Sequence, residues 1–324
     1  MAAAAAAEGE VNMKDTDSGY RERRRIGRRK WSNVTFHLIN YGLLTVFTLI
    51  CLYPILHIVF ASVSNPNELM LHRGLLLKPL GFTLNGYRLV FKDNSIFTGF
   101  RNTGIYVILG TFINMLITIM GAYSLSRKEL LWKTPIMLII TVTMFFGGGL
   151  IPWFLLMKQL GLYNNILAML IPTALNTWNM IILRTGFQAV PLELEEAAVM
   201  DGASQAKILL KVILPLSKPV LAVILLYYLV GNWNSWFNAM VLLKDRGLFP
   251  LQLLLKEILV TNDSSTATVG SAGGISINSV QGATAYRELV KYCVIVIATA
   301  PILVIYPFLQ RYFVKGVYVG SIKG

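Results

Sequence analysis

Six predominantly apolar stretches of the chain run for 19 or more residues without Asp, Glu, Lys or Arg: 31–67, 102–126, 134–157, 159–183, 219–243 and 292–310. Crossing a hydrocarbon core takes about 20 predominantly apolar residues in a helix. Each stretch therefore predicts one transmembrane helix, and the chain is expected to be an all-α, polytopic protein with six spans. The first stretch exceeds one span, which places its helix near 36–63; the last is the shortest, so its helix begins before Lys291. Pro54, Gly110, Gly147, Gly148, Gly149, Pro152, Pro172, Pro301 and Pro307 fall inside these windows. In a membrane bundle, neighbouring helices and polar side chains satisfy the backbone groups that such residues free. The Gly147–Gly149 run marks a helix break or a close helix approach.

Composition agrees with this pattern. Of 324 residues 55% are hydrophobic and 14% charged, with mean hydropathy +0.60. A water-soluble domain of this size needs a more charged surface. The excess of 29 Lys and Arg over 16 Asp and Glu sits largely beside the apolar runs, where it orients a membrane protein rather than meeting nucleic acid. Eight basic residues precede the first span, and eighteen of the 29 fall on one side if the N-terminus is cytoplasmic. Both termini are therefore expected on the cytoplasmic side of the membrane. The expected layout is a basic tail at 1–33, a six-helix domain at 34–316 and a second cytoplasmic tail at 317–324. The Ser/Thr/Gly-rich stretch 261–274 reads as a flexible outer loop. The first 30 residues do not form a signal peptide, because acids and a basic cluster precede an apolar run too long for one. Cys51 and Cys293 both lie in apolar runs and offer neither a disulfide framework nor metal-ligand spacing.

The one long cytoplasmic loop, 187–217, carries the most local information. Pro191 suits the first turn of a helix, and Glu193, Glu195 and Glu196 suit its positive end. Gly202 suits a stop, and Ala203-Ser204 leads into a second helix ending at Pro215. The result is a compact knob of two short helices. Within it, Glu196-Ala197-Ala198, then Gly202, then Leu214-Pro215 resembles the EAA signature of importer-type ABC permeases of the carbohydrate-uptake, maltose-importer-like branch. Val212 departs from the isoleucine usual there. The likeness extends through the 145–152 run, Gly161-Leu162-Tyr163-Asn164-Asn165 and 232–243.

The resemblance implies the type I ABC importer permease fold and a non-catalytic subunit with no cofactor of its own. ATP and Mg would sit on two partner ATPase subunits. It further implies a second homologous permease, an extracytoplasmic solute-binding protein and an oligosaccharide substrate, including acidic ones of the alginate or aldouronate kind. Glu196, Ala197, Ala198, Asp201, Gly202, Leu214 and Pro215 would then dock on the ATPase. The terminal Gly320, Ser321, Ile322, Lys323 and Gly324 resemble a permease tail that reaches between the two ATPase subunits.

No Gly-x-x-x-x-Gly-Lys-Ser/Thr phosphate loop occurs, and three scattered histidines build no catalytic or metal centre. Polar residues inside a membrane usually face a bundle interior or wet cavity. The densest set is Asn232, Trp233, Asn234, Ser235, Trp236 and Asn238 in the fifth window, with Asn179 in the fourth. At helical spacing Asn234 and Asn238 share a face, as do Asn232 and Trp236. Amides and indole faces suit sugar hydroxyls and sugar C–H faces; an aromatic belt with interhelical amide bonds explains the same residues. The alternatives are a permease for another small solute, an ion-coupled secondary transporter and an assembly protein. A secondary transporter should carry intramembrane charges, and an assembly protein has no use for the EAA loop.

Overall fold

The computed structural model describes residues 36–127, 129–263 and 283–320. The expected N-terminal tail and the 264–274 part of the outer loop lie outside them, as do Ser321, Ile322, Lys323 and Gly324. Among the described residues the regular structure is all helical, without a strand. The chain divides into two units between Ile58 and Val59, within the first helix.

Three helices are long and apolar enough to cross a membrane: α1 (Phe36–Ser62), α4 (Asn94–Ser126) and the Ala285–Pro307 part of α15 (Ala283–Gly320). The placements expected for the first and last windows match α1 and α15. Between α1 and α4 lie two short helices, α2 (Pro66–Leu71) and α3 (Asn85–Lys92).

Six spans were expected, with a break or a close approach only at the Gly147–Gly149 run; the third, fourth and fifth windows are each broken. In the third, α5 (Lys133–Phe145) meets α6 (Leu150–Gln159) at 113°. The glycine run makes the break: Gly149 has φ +83°, and a side chain at Gly147 or Gly148 would meet nothing within 4 Å. It is a turn, not a site of close helix approach. The fourth window holds α7 (Leu167–Leu170) and α8 (Thr177–Gln188), separated around Pro172. In the fifth, α12 (Lys218–Trp233) stops before α13 (Phe237–Leu242). Freedom from charge measures compatibility with lipid, and it does not measure whether the helix continues.

Irregular backbone between the helices is satisfied by neighbouring helices: Asn114 Nδ2 donates to Thr173 O and the Tyr228 hydroxyl accepts from Asn176 N in the fourth-window break. The chain from the 3-10 turn Arg246–Leu248 into α14 (Leu251–Asp263) is held by α4. Asn102 Nδ2 donates to the carbonyls of Gly247 (2.7 Å) and Phe249 (3.1 Å). The Tyr106 hydroxyl donates to Leu248 O at 2.7 Å, and Thr103 Oγ1 accepts from Leu251 N at 2.8 Å.

Helix α4 is the central post, packing on α8, α12 and α14. Thr103, Tyr106, Gly110, Thr111, Asn114, Thr118 and Ala122 are all buried along it. Their spacing of three, four and one lays them on one helical face. Small and hydroxylated residues let helices approach closely where lipid supplies no hydrophobic drive for association.

Candidate functional site

The 187–217 loop folds into the expected knob. Pro191 is the N-cap of α9 (Leu192–Met200), one residue ahead of the first turn, with Glu193 and Glu195 inside that turn. Gly202 (φ +73°) ends the helix. Its N–H donates to Val199 O at 2.9 Å, and Ala203 N–H donates to Ala198 O at 3.0 Å, closing the carbonyls that a helix end leaves open. Ser204 then caps α10 (Gln205–Ile208), which runs through a π turn, Leu209–Ile213, into α11 (Leu214–Leu216). Pro215 has no N–H to offer the turn before it, and the π geometry sits on that turn. At Ser217 the chain bends by 87° into α12.

The knob is moored to α4 by its C-terminal end. Arg127 pairs with Glu195, both side chains more than four-fifths buried, and lies 4.4 Å from the centre of the Tyr123 ring. The Tyr123 hydroxyl donates to Gln205 Oε1 at 2.8 Å. Burial pushes the Arg127 guanidinium pKa down from its ordinary value, with Tyr123 and Glu129 acting the other way. The sequence pointed to Glu196 and Asp201, and both are exposed with Ala197 and Gly202. Glu195, which anchors the knob, escaped it because Arg127 lies 68 residues away. Val199 (50% exposed) and Met200 (87%) add an apolar rim. Ala198 and Leu214 pack partly against the protein core, whereas Pro215 is exposed.

The second feature is a cavity of about 500 Å³ between the α7–α8 break and the α12–α13 break. Asn179, Asn232, Asn234, Trp236 and Asn238 line it, with Asn176, Tyr227, Tyr228 and Gly231. Trp233 does not. Its Nε1 donates to Ala298 O on α15 at 3.1 Å, and its ring meets Phe100 edge-on. The expected pairing of Asn234 with Asn238, and of Asn232 with Trp236, on shared helical faces is also absent. Residues 234–236 leave the helix, so a spacing of four no longer superposes them. The break itself turns the residues after it towards the cavity.

The lining asparagines differ in freedom. Asn232 Nδ2 donates to Thr111 Oγ1 at 3.1 Å and Asn114 Oδ1 at 2.9 Å, while Asn114 Nδ2 donates to Thr173 O. Gly110 makes room for this link, since a Cβ there would sit 3.0 Å from Asn232 Nδ2. Asn234 Nδ2 donates to Val230 O at 3.0 Å. Asn176 caps α8 by accepting from Asn179 N at 3.0 Å, and its own N–H donates to the Tyr228 hydroxyl at 3.1 Å. The side-chain amides of Asn179 and Asn238 bond to nothing among the described residues. Trp236 is steadied by Lys256, whose Nζ lies 3.8 Å from its ring centre. No Asp, Glu, Lys or Arg lines the cavity.

Tyr228 is eleven residues beyond Ser217, or roughly 16 Å along α12 at about 1.5 Å per residue. That is about half of a 30 Å hydrocarbon core. An exposed knob joined through one helix to an uncharged polar cavity is an arrangement that suits a membrane permease. Comparison with known proteins agrees. Residues 114–319 match the family described as the binding-protein-dependent transport system inner membrane component, and the chain belongs to that family. It is a non-catalytic, multi-pass permease subunit of an ABC importer.

The polygalacturonan/rhamnogalacturonan transport system permease protein YtcP of Bacillus subtilis (strain 168) is 37% identical over 292 residues, covering 90% of this chain and 99% of that protein. Protein LplC of the same organism is 37% identical over 275 residues, covering 85% and 90%. The fold is shared with a solved bacterial ABC transporter involved in the import of the acidic polysaccharide alginate. Its TM-score is 0.78 at 36% identity, covering 87% of this chain and 98% of that one.

Proposed function

We propose that this chain carries oligosaccharides released from polysaccharides inward across the plasma membrane by alternating access, with both termini cytoplasmic. The observation that carries the reading is the uncharged cavity, in which asparagine amides stand beside the Trp236 indole. Amide groups pair with sugar hydroxyls, an aromatic face packs on sugar C–H groups, and the absence of fixed charge suits release as well as entry. The relatives whose names mention polygalacturonan, rhamnogalacturonan and alginate support the saccharide class.

In this reading the knob docks on a cytoplasmic ATPase that binds ATP and Mg. Glu196 and Asp201 meet basic groups there, Ala197 and Ala198 permit close approach, and Gly202 sets the angle between α9 and α10. Leu214 and Pro215 carry the movement into the Ser217 bend. A second, homologous permease completes the pathway, an extracytoplasmic binding protein delivers the substrate, and residues 320–324 reach the ATPase interface. The test is uptake by a reconstituted complex of these subunits, challenged with oligogalacturonates, neutral oligosaccharides and non-sugar solutes. ATP-dependent uptake confined to saccharides is the expected result. Uptake confined to a non-sugar solute would overturn it.

A further inference from the structure

We infer that the N-terminus of α8 is a subsite for a carboxylate of the transported saccharide, with the Asn179 amide as its side-chain donor. This deepens the saccharide reading above and rests on it. Helix α8 is twelve residues long, and its first turn opens at the cavity through Asn176 and Asn179. The cap accounts for one first-turn N–H, that of Asn179. Those of Thr177 and Trp178 have no acceptor among the described residues. A helix start of this kind carries positive potential and unpaired donors, the two properties that anion sites at helix termini share.

Asn179 is the independent observation. It is 6% exposed, it lines the cavity, and its side-chain amide has no partner among the described residues. The residue is otherwise enclosed, so the amide it turns to the cavity is held in place and free to pair with a polar occupant there. An amide alone would serve a hydroxyl equally well. The helix terminus beside it favours negative charge, and no acidic side chain lines the cavity to repel one. No Arg or Lys lines it either, so the site holds a carboxylate weakly, as a transport pathway requires of a ligand that must leave. A uronic acid residue has this chemistry. The Asn238 amide, on the other break, is available for its hydroxyls.

The test measures binding of trigalacturonate and its methyl ester to the purified permease–ATPase complex without binding protein. Wild type should bind the acid more tightly than the ester. Asn179→Asp should lower the acid-to-ester affinity ratio about tenfold, because a fixed negative charge now stands at the helix terminus. Asn179→Ala should lower that ratio by a smaller factor, and it carries the comparison if the Asp variant does not assemble with the ATPase. Equal affinity of wild type for both probes, or an equal loss of both in an assembled variant, would overturn the carboxylate subsite and leave the saccharide reading standing. Binding of neither probe by the intact wild-type complex would overturn both.

Discussion

In the knob, each turn is set by residues a few positions away: Gly202 by Val199, Ala203 by Ala198, Lys207 by Ser204. Around the cavity the deciding contacts span long stretches of chain. Asn232 reaches residues 121 and 118 positions away, and Asn176 meets Tyr228 across 52. Of the knob residues proposed to dock, Glu196, Ala197, Asp201, Gly202 and Pro215 are exposed, so changing them leaves the packing of the protein in place. The cavity's side chains also join helices, so changing them alters stability and ligand contact together.

The sharpest way to break this contrast is to strike the knob. Glu196→Lys reverses an exposed charge, and Gly202→Leu forces a bulky residue into a left-handed conformation. Each should leave membrane insertion intact and reduce transport about thirtyfold or more, since losing a docking charge pair costs about 2–5 kcal/mol when its partner stays buried. Uptake in proteoliposomes and co-purification of the ATPase measure this. Wild-type transport with an intact complex would sink the coupling assignment.

The cavity side is tested by Asn232→Leu, which strands Asn114 Oδ1 and loses a donor to Thr111. Thermal unfolding in detergent should register a loss of about 1–3 kcal/mol, and an unchanged melting temperature would contradict the stability half of the comparison. The two tryptophans then sharpen it. Trp236→Ala should weaken saccharide transport about tenfold, roughly 1.4 kcal/mol. Trp233→Phe, which loses only the bond to Ala298, should cost about 1 kcal/mol of stability and leave transport alone. Parallel uptake and melting curves separate them. The smallest effect is expected from deleting residues 320–324: about a twofold to threefold fall in substrate-stimulated hydrolysis, under 1 kcal/mol in coupling terms. Unchanged hydrolysis would remove the tail from the mechanism.

The same division governs what was legible in the sequence. The knob could be read almost residue by residue because its signals are a Pro cap, a first turn with acids, a positive-φ glycine and a serine cap. The long helices α1 and α15 were legible because length and apolarity suffice for them. The breaks at 171–176 and 234–236 were not, because an apolar window says nothing about continuity. The cavity asparagines stood out as polar residues in lipid-compatible sequence, but their orientation depended on where the helix stops, and that misplaced Trp233. One overlooked signal was present. The polar and small residues of α4, from Thr103 through Gly110, Thr111 and Asn114 to Thr118, recur at helical spacing and mark the face that meets the broken segments.

The bend at Ser217 has a mechanical consequence. Arms meeting at 87° act as a crank: thrust along α10 and α11 becomes swing of α12, with little sliding. Gly186 offers a fulcrum, since a Cβ there would lie 2.7 Å from Val220 Cγ1, just past the corner. The Ser217 hydroxyl is buried without a hydrogen-bond partner among the described residues, so turning the crank breaks no bond of its side chain to them. A rotation of about 5° moves Tyr228, roughly 16 Å out along α12, by about 1.5 Å. That stroke is enough to part a hydrogen bond of ordinary length, and Tyr228 holds one to Thr118 and one to Asn176.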